Sequence, residues 1–162
     1  MTGDLVPRTA GVRGASSRPA NATREHMTGE LVYSWRHPIS GDEMGDLVAS
    51  HGGRSEPGWW HQVRPHSLGW GTARTRDGVL VGFVNVAWDG GDHAFLLDTK
   101  TRGEWQRRGV GTELVGRAAH HAKAAGCEWL HVDFEPQLRA FYVDSCGFRP
   151  TEAGLIHLHS LD

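Results

Sequence analysis

The sequence predicts an α+β fold: a mixed, mostly antiparallel central sheet flanked by helices. Two observations carry this. Alternating apolar runs are joined by tight turn signals at Arg76-Asp77-Gly78 and Asp89-Gly90-Gly91, which makes three consecutive strands an antiparallel meander. The second half then changes period, placing Val110, Leu114, Ala118, Ala122 and Ala125 on one helical stripe that stops at Gly126. Strands meandering first and alternating with helices later build a layered α+β sandwich rather than a doubly wound sheet.

The elements follow in chain order. Residues 1–26 carry neither a helical nor a strand period and are rich in Gly, Arg, Ser, Thr and Ala, which reads as a disordered tail. Patterned sequence begins at Met27, and residues 27–162 read as a single domain. Leu31 to Trp35 is a short strand. Ser40 with Glu43 forms a capping box, so a helix runs to about Ser50 and ends at His51-Gly52-Gly53. Pro57 to Val63 is a second short helix carrying Trp59 and Trp60. Leu68–Thr75, Val79–Trp88 and His93–Thr99 are the meander strands. After the helix from Val110 come a strand over Glu128–Phe134, a helix from Gln137 to Cys146 closed by Gly147, and a last strand over Leu155–His159.

Composition narrows the function classes. The 162-residue chain is 38% hydrophobic and 22% charged, as in ordinary globular domains, and its net charge of −2 removes the bulk electrostatic case for a nucleic-acid binder. No apolar run approaches the ~20 residues of a membrane span, so neither nucleic acid nor membrane is an expected partner. Two cysteines imply no disulfide framework, and a cytoplasmic location is the simplest expectation. Eleven histidines are present, but the adjacent His120 and His121 point about 100° apart on a helix. His157 and His159 lack companions at ligand spacing, so no metal site is expected.

The segment from Leu97 to Leu114 carries the chemistry. A strand enters a short loop, and Gln106-Arg107-Arg108-Gly109-Val110-Gly111 opens a helix. Helix N-termini hold anions through unpaired N–H groups. Gly109 and Gly111 remove side chains that would keep a pyrophosphate from the backbone, and Arg107 and Arg108 add charged donors. A phosphate-containing cofactor follows. Neither Gly-x-Gly-x-x-Gly nor a Walker-type loop is present, since Leu114 stands where the third glycine would be.

Ala140-Phe141-Tyr142 through Gly147-Phe148 is the second signature. With both segments in place, the chain resembles the GNAT superfamily of N-acetyltransferases. Gln106–Gly111 matches that family's Gln/Arg-x-x-Gly-x-Gly/Ala acyl-CoA signature, and Phe141-Tyr142 to Gly147-Phe148 its Phe-Tyr-x-x-x-x-Gly-Phe turn. The resemblance implies acetyl-CoA as co-substrate and an amine of a small molecule or peptide as acceptor, attacked without a covalent acyl-enzyme. It also implies a fold on which homodimers are common. Leu97, Asp98 and Thr99 would pair with the pantetheine arm, while Gln106, Arg107, Arg108, Gly109, Val110, Gly111 and Thr112 would form the pyrophosphate loop. Tyr142 would be the general acid for the leaving thiolate, since a phenol of pKa near ~10 stays protonated at neutral pH. The alternative is a core aromatic.

The chain departs from the family at Glu135, which stands where an asparagine often helps to orient CoA. An ammonium of pKa near ~10.4 must lose a proton before attack, at roughly 4–5 kcal/mol at neutral pH. Asp98, His131, Asp133 and Glu135 lie near the relevant strand ends, and Glu135 or Asp133 is the expected base. Trp60, Asn85 and Trp88 are expected at the acceptor pocket, where aromatic faces near Asp89 and Asp92 suit a cationic amine. A CoA-binding sensor with little turnover is the second reading, and a nucleotide-binding regulator a third.

Overall fold

A computed structural model describes residues 31–160; the expected tail over residues 1–26 and the start at Met27 lie outside the described residues. The mixed, mostly antiparallel sheet flanked by helices is present. Five strands, β1 (Val32–Trp35), β2 (Ser67–Arg74), β3 (Leu80–Trp88), β4 (His93–Thr101) and β5 (Trp129–His131), stand in the order β1-β2-β3-β4-β5. All neighbours are antiparallel except β4 and β5. Helices α1 (Gly41–Ala49) and α2 (Trp59–Val63) lie over one face, and α3 (Val110–Ala124) over the other.

Local chemistry sets these elements. Ser40 caps α1 as the capping box requires: its hydroxyl accepts from the Glu43 N–H at 3.2 Å and its own N–H donates to Glu43 Oε2 at 2.8 Å. Along α3, Val110, Leu114, Ala118 and Ala122 are buried against Val84, Val86, Ala94 and Leu96 of the sheet. A Cβ on Gly82 would stand 2.8 Å from Leu114 Cδ1 and 3.0 Å from Val110 Cγ1, so this glycine lets α3 settle onto β3. On the opposite face Met44, Leu47, Trp60, Leu80 and Phe83 form a second core. Trp60 meets Trp70 and Phe83 edge-on at 5.0 and 5.1 Å.

Four expectations need correction. Ala125 is exposed at the C-cap rather than on the core stripe. The strand expected over Glu128–Phe134 is only Trp129–His131, because β5 stops pairing with β4 after His131 meets Phe95. The expected helix over Gln137–Cys146 divides into a 3-10 turn at Pro136–Leu138 and a π-helical turn at Ala140–Ser145, closed by Gly147 at φ +80°. Finally, Leu155–His159 forms no strand, and Leu155, Ile156 and Leu158 are exposed. Its alternation is strand-like, but Pro150 removes a backbone donor on the approach and β5 offers only three residues of edge.

Candidate functional site

The parting of β4 from β5 creates the site. From Leu96 onward β4 is paired only with β3, so its other edge presents unpaired peptide groups. A bulge lies at this point: Asn85 pairs with Leu97 but Phe83 with Lys100, three steps along β4 against two along β3. Asp98 accommodates the extra residue at φ +54°, a conformation costly for a side chain that bears a Cβ. Its carboxylate holds Lys100 Nζ at 3.2 Å.

β4 leads into the loop before α3. Gln106 Nε2 donates to the Thr101 carbonyl at 3.2 Å, tying the loop to the end of β4. Arg107 has φ +57° and Gly109 +82°, with Arg108 at negative φ between them. That alternation of hand turns successive N–H groups inward as an anion-binding concavity. No side chain caps α3, and its first helical bond runs from Glu113 N–H to Gly109 O at 3.0 Å. The N–H groups of Val110, Gly111 and Thr112 therefore have no helical partner. Arg108 lies over the Trp105 ring at 5.4 Å.

The two loop glycines serve different ends. A Cβ on Gly109 would meet nothing within 4 Å, so its backbone conformation is what demands glycine. Gly111, expected to clear room for a phosphate, instead clears room for Phe141: an added Cβ would lie 3.1 Å from the ring. The side chain of Val110 is core, which leaves only its N–H for a ligand. Thr112 turns its hydroxyl toward Cys146 at the end of the π turn.

Tyr142 stands across the parting from β4. It is buried and stacked on Phe134 at 5.0 Å, with Phe141 and Phe148 edge-on. Burial, above all, pushes its phenol above the ordinary value, and Asp133 and Cys146 add to the rise. Thr99 faces the phenol and opposes that shift, yet no well-formed hydrogen bond joins them: Thr99 Oγ1 is buried without a partner. A buried hydroxyl left unmet beside an open strand edge is suited to a polar ligand group. Asp133 and Glu135 are exposed beyond β5, and the Glu135 carbonyl accepts the Leu138 N–H at 2.8 Å.

Of the residues expected at the acceptor pocket, Trp60 and Asn85 lie on the side of α1 and α2, and Trp88 on the other. Cross-strand partners share a face, so Trp70, Asn85 and Leu97 form one row on the side of α1 and α2. Asn85 is 1% exposed and both polar atoms of its amide lack partners. Trp60, on α2, is buried against Trp70 and Phe83. Trp88, an odd number of residues from Asn85, lies on the α3 face and donates from Nε1 to the Gly91 carbonyl at 2.7 Å. A cavity of about 570 Å³ between α1 and α2 has Asp42, Asp46, Glu56 and Trp59 in its walls. Trp59 joins it to the bulge, since Lys100 Nζ lies 5.5 Å from that ring. Trp60, expected at the acceptor pocket, also lines this cavity, whereas its carboxylates Asp42, Asp46 and Glu56 were not expected there.

Among the described residues no group of three or more His, Cys, Asp or Glu is placed to hold a metal. No described helix is long and apolar enough to cross a membrane.

Comparison with known proteins agrees with this fold. The model of the Acetyltransferase (GNAT) family matches residues 31–148. No curated protein matches. Among solved structures, a GNAT family acetyltransferase of Streptococcus pneumoniae superposes with TM-score 0.65 at 20% identity, covering 78% of this chain and 98% of that one. A Trypanosoma brucei acetyltransferase gives 0.67 at 16% identity, covering 79% and 99%. The aminoglycoside N-acetyltransferase AAC(6')-Iy, solved with a CoA-acetylneamine bisubstrate analogue, gives 0.63 at 18%, covering 78% and 96%.

Proposed function

Because the chain belongs to the GNAT family of acetyltransferases, we propose that it moves an acetyl group from acetyl-CoA to a primary amine of a small molecule or peptide by direct attack. One observation carries this reading: the open edge of β4 at its bulge runs straight into an uncapped helix start, with a buried phenol facing that edge. An extended amide arm, a pyrophosphate and a departing thiolate need those three features in that order.

The residues divide the work by position. The free peptide groups of Leu97, Asp98 and Thr99 pair with the pantetheine arm as an added strand would. The N–H groups from Arg107 to Thr112, with the Arg107 and Arg108 side chains, hold the pyrophosphate. Gln106 fixes the loop against Thr101. Tyr142 gives its proton to the sulfur as the carbon–sulfur bond breaks, and its raised pKa keeps that proton in place up to alkaline pH. The exposed carboxylates Asp133 and Glu135 draw the ammonium toward the parting. Asn85 offers a donor and an acceptor beneath Leu97, on the side from which the amine approaches.

Thiol release from acetyl-CoA against a panel of amines, polyamines, amino acids, peptides and aminoglycosides tests the proposal. Amine-dependent release is expected, and Tyr142→Phe should slow it about 10²-fold without changing acetyl-CoA affinity. Tight binding with no release for any amine would instead support a sensor, and absence of binding would overturn the reading altogether.

A further inference from the structure

His93 opens β4 and His131 closes β5. The parallel register sets His93 opposite Trp129 and Phe95 opposite His131, which brings both imidazoles onto one side of the sheet. His93 Nδ1 and His131 Nε2 are 2.7 Å apart, so one ring donates and the other accepts. His131 is stacked on Phe95 at 4.9 Å and against His93 at 5.0 Å, which fixes its plane and leaves Nδ1 as its remaining nitrogen.

The pair sits where a proton must be taken. His131 is the last residue of β5 to pair, and the parting begins directly beyond it. It shares its face with Leu97 and Asn85, the side of α1 and α2. Leu97 follows Phe95 by two residues, about 6.6 Å along the strand, which one bridging water can span. The residues of β4 on this face next to His131, Phe95 and Leu97, are apolar and cannot accept a proton.

We propose that His131 takes the proton from the attacking amine and relays it through His93 to solvent. This rests on the acetyl-transfer reading above. In the competent state His131 carries its proton on Nε2 and donates to His93 Nδ1. The ammonium gives a proton to His131 Nδ1, directly or through water; the Nε2 proton crosses to His93 Nδ1; and His93 releases its own Nε2 proton to bulk. The nitrogen lone pair freed by the first transfer forms the bond to the acetyl carbon. As the carbon–sulfur bond breaks, Tyr142 gives its proton to the sulfur and is restored by the second proton lost from the nitrogen. Exchange with solvent returns the two imidazoles to their starting tautomers. A neutral imidazole has one bare and one protonated nitrogen, so it can accept a proton at one while donating at the other. Asp133 and Glu135, expected as bases, keep the part of electrostatic attraction.

The charges around the pair give the relay a direction. Asp89 and Asp92 lie in the turn leading to His93, and the Asp89 carboxyl is held below the usual range by the Gly91 N–H first, then by the His93 N–H, and after it by the imidazole. Asp133 lies beyond His131, and Arg149 lies over the Trp129 ring at 5.8 Å. A cation on His93 is thus nearest the two turn carboxylates, away from the reacting centre.

Two measurements test the relay. Ring-nitrogen NMR of the full chain needs neither acetyl-CoA nor an acceptor. With both rings neutral, His131 should be found with its proton on Nε2 and Nδ1 bare, and His93→Gln should perturb its ring-nitrogen shifts. A proton on Nδ1 would overturn the proposal. With the amine that the panel identifies, His131→Gln should lower kcat/KM ~10²–10³-fold near neutral pH and abolish the acidic inflection of the rate profile. His93→Gln should lower it roughly tenfold and move that inflection, while His120→Gln on the far face of α3 should change neither. A His131→Gln enzyme within about threefold of wild type, with the inflection retained, would sink the idea even where Tyr142→Phe is impaired. A wild-type protein inactive with every amine defeats the acetyl-transfer reading instead, and the NMR result still decides the state of the pair.

Discussion

At the residue scale, Tyr142 and Asn85 are both buried side chains that carry a polar group, with opposite consequences. The Tyr142 phenol is raised by burial, so its neutral form persists past the ordinary value near ~10. The sign is that of any acid favoured in its protonated form: the donor is intact below that value and is lost only as pH climbs through the raised one. The alkaline limb of the rate profile, with free-amine concentration held constant, should therefore fall above about pH 10. A limb between neutrality and pH ~9 would show that another group donates. Asn85 has an unsatisfied buried amide, worth about 1–3 kcal/mol against the fold. Asn85→Leu should raise the Tm by several degrees and depress kcat/KM for the amine, a trade that calorimetry and kinetics on one preparation would expose. A variant both less stable and fully active would show that the amide has a partner and no part in the reaction.

At the scale of elements, close approaches set the site's geometry. Gly82 brings α3 onto β3, and Gly111 brings the π turn onto α3, so each glycine governs where an active segment stands. Gly82→Ala should cost about 1–3 kcal/mol as overpacking, read as a lower Tm. Gly111→Ala should cost similarly and also weaken acetyl-CoA binding, because the ring it displaces adjoins Tyr142. The capping box offers a control remote from the chemistry. Ser40→Ala should remove about 1 kcal/mol with kcat unchanged. Glu43 is held below the usual carboxyl range chiefly by its hydrogen bond to Arg74. The stability it confers is present above its unfolded value near ~4.3 and is lost as pH falls through the lowered one.

For the whole molecule, the sheet behaves as a clamp closed at one end. The β4–β5 ladder is only three residue pairs long, so a ligand laid along the open edge of β4 completes a sheet that the chain leaves unfinished. Acetyl-CoA at about a hundred times its Kd should stabilise the fold by ~2.7 kcal/mol, raising the Tm by several degrees in a thermal-shift measurement. Shortening the ligand to its nucleotide half should lose the part of that gain that depends on Leu97–Thr99. Equal shifts for both would mean that β4 contributes nothing.

Much of this was legible in the chain itself. The meander, the Ser40–Glu43 cap, the α3 stripe and the Gln106–Gly111 and Phe141–Phe148 signatures all depend on interactions within about a turn or a hairpin, and local spacing encodes those. Where long-range geometry decides, spacing was silent or misleading. The bulge at Asp98 and the early end of β5 arise from how two distant strands diverge, which no periodicity records. Trp88 could have been set apart from Asn85 by parity alone, but Trp60 and Gly111 became core contacts only once α2 and the π turn had packed. His93 and His131, 38 positions apart, meet through a parallel register that neither strand carries by itself. Local spacing sufficed for the layers and for the turn that opens α3, because both are set within a few residues; which side chains share a face was settled by the packing of the whole, because that is what fixes a sheet's register.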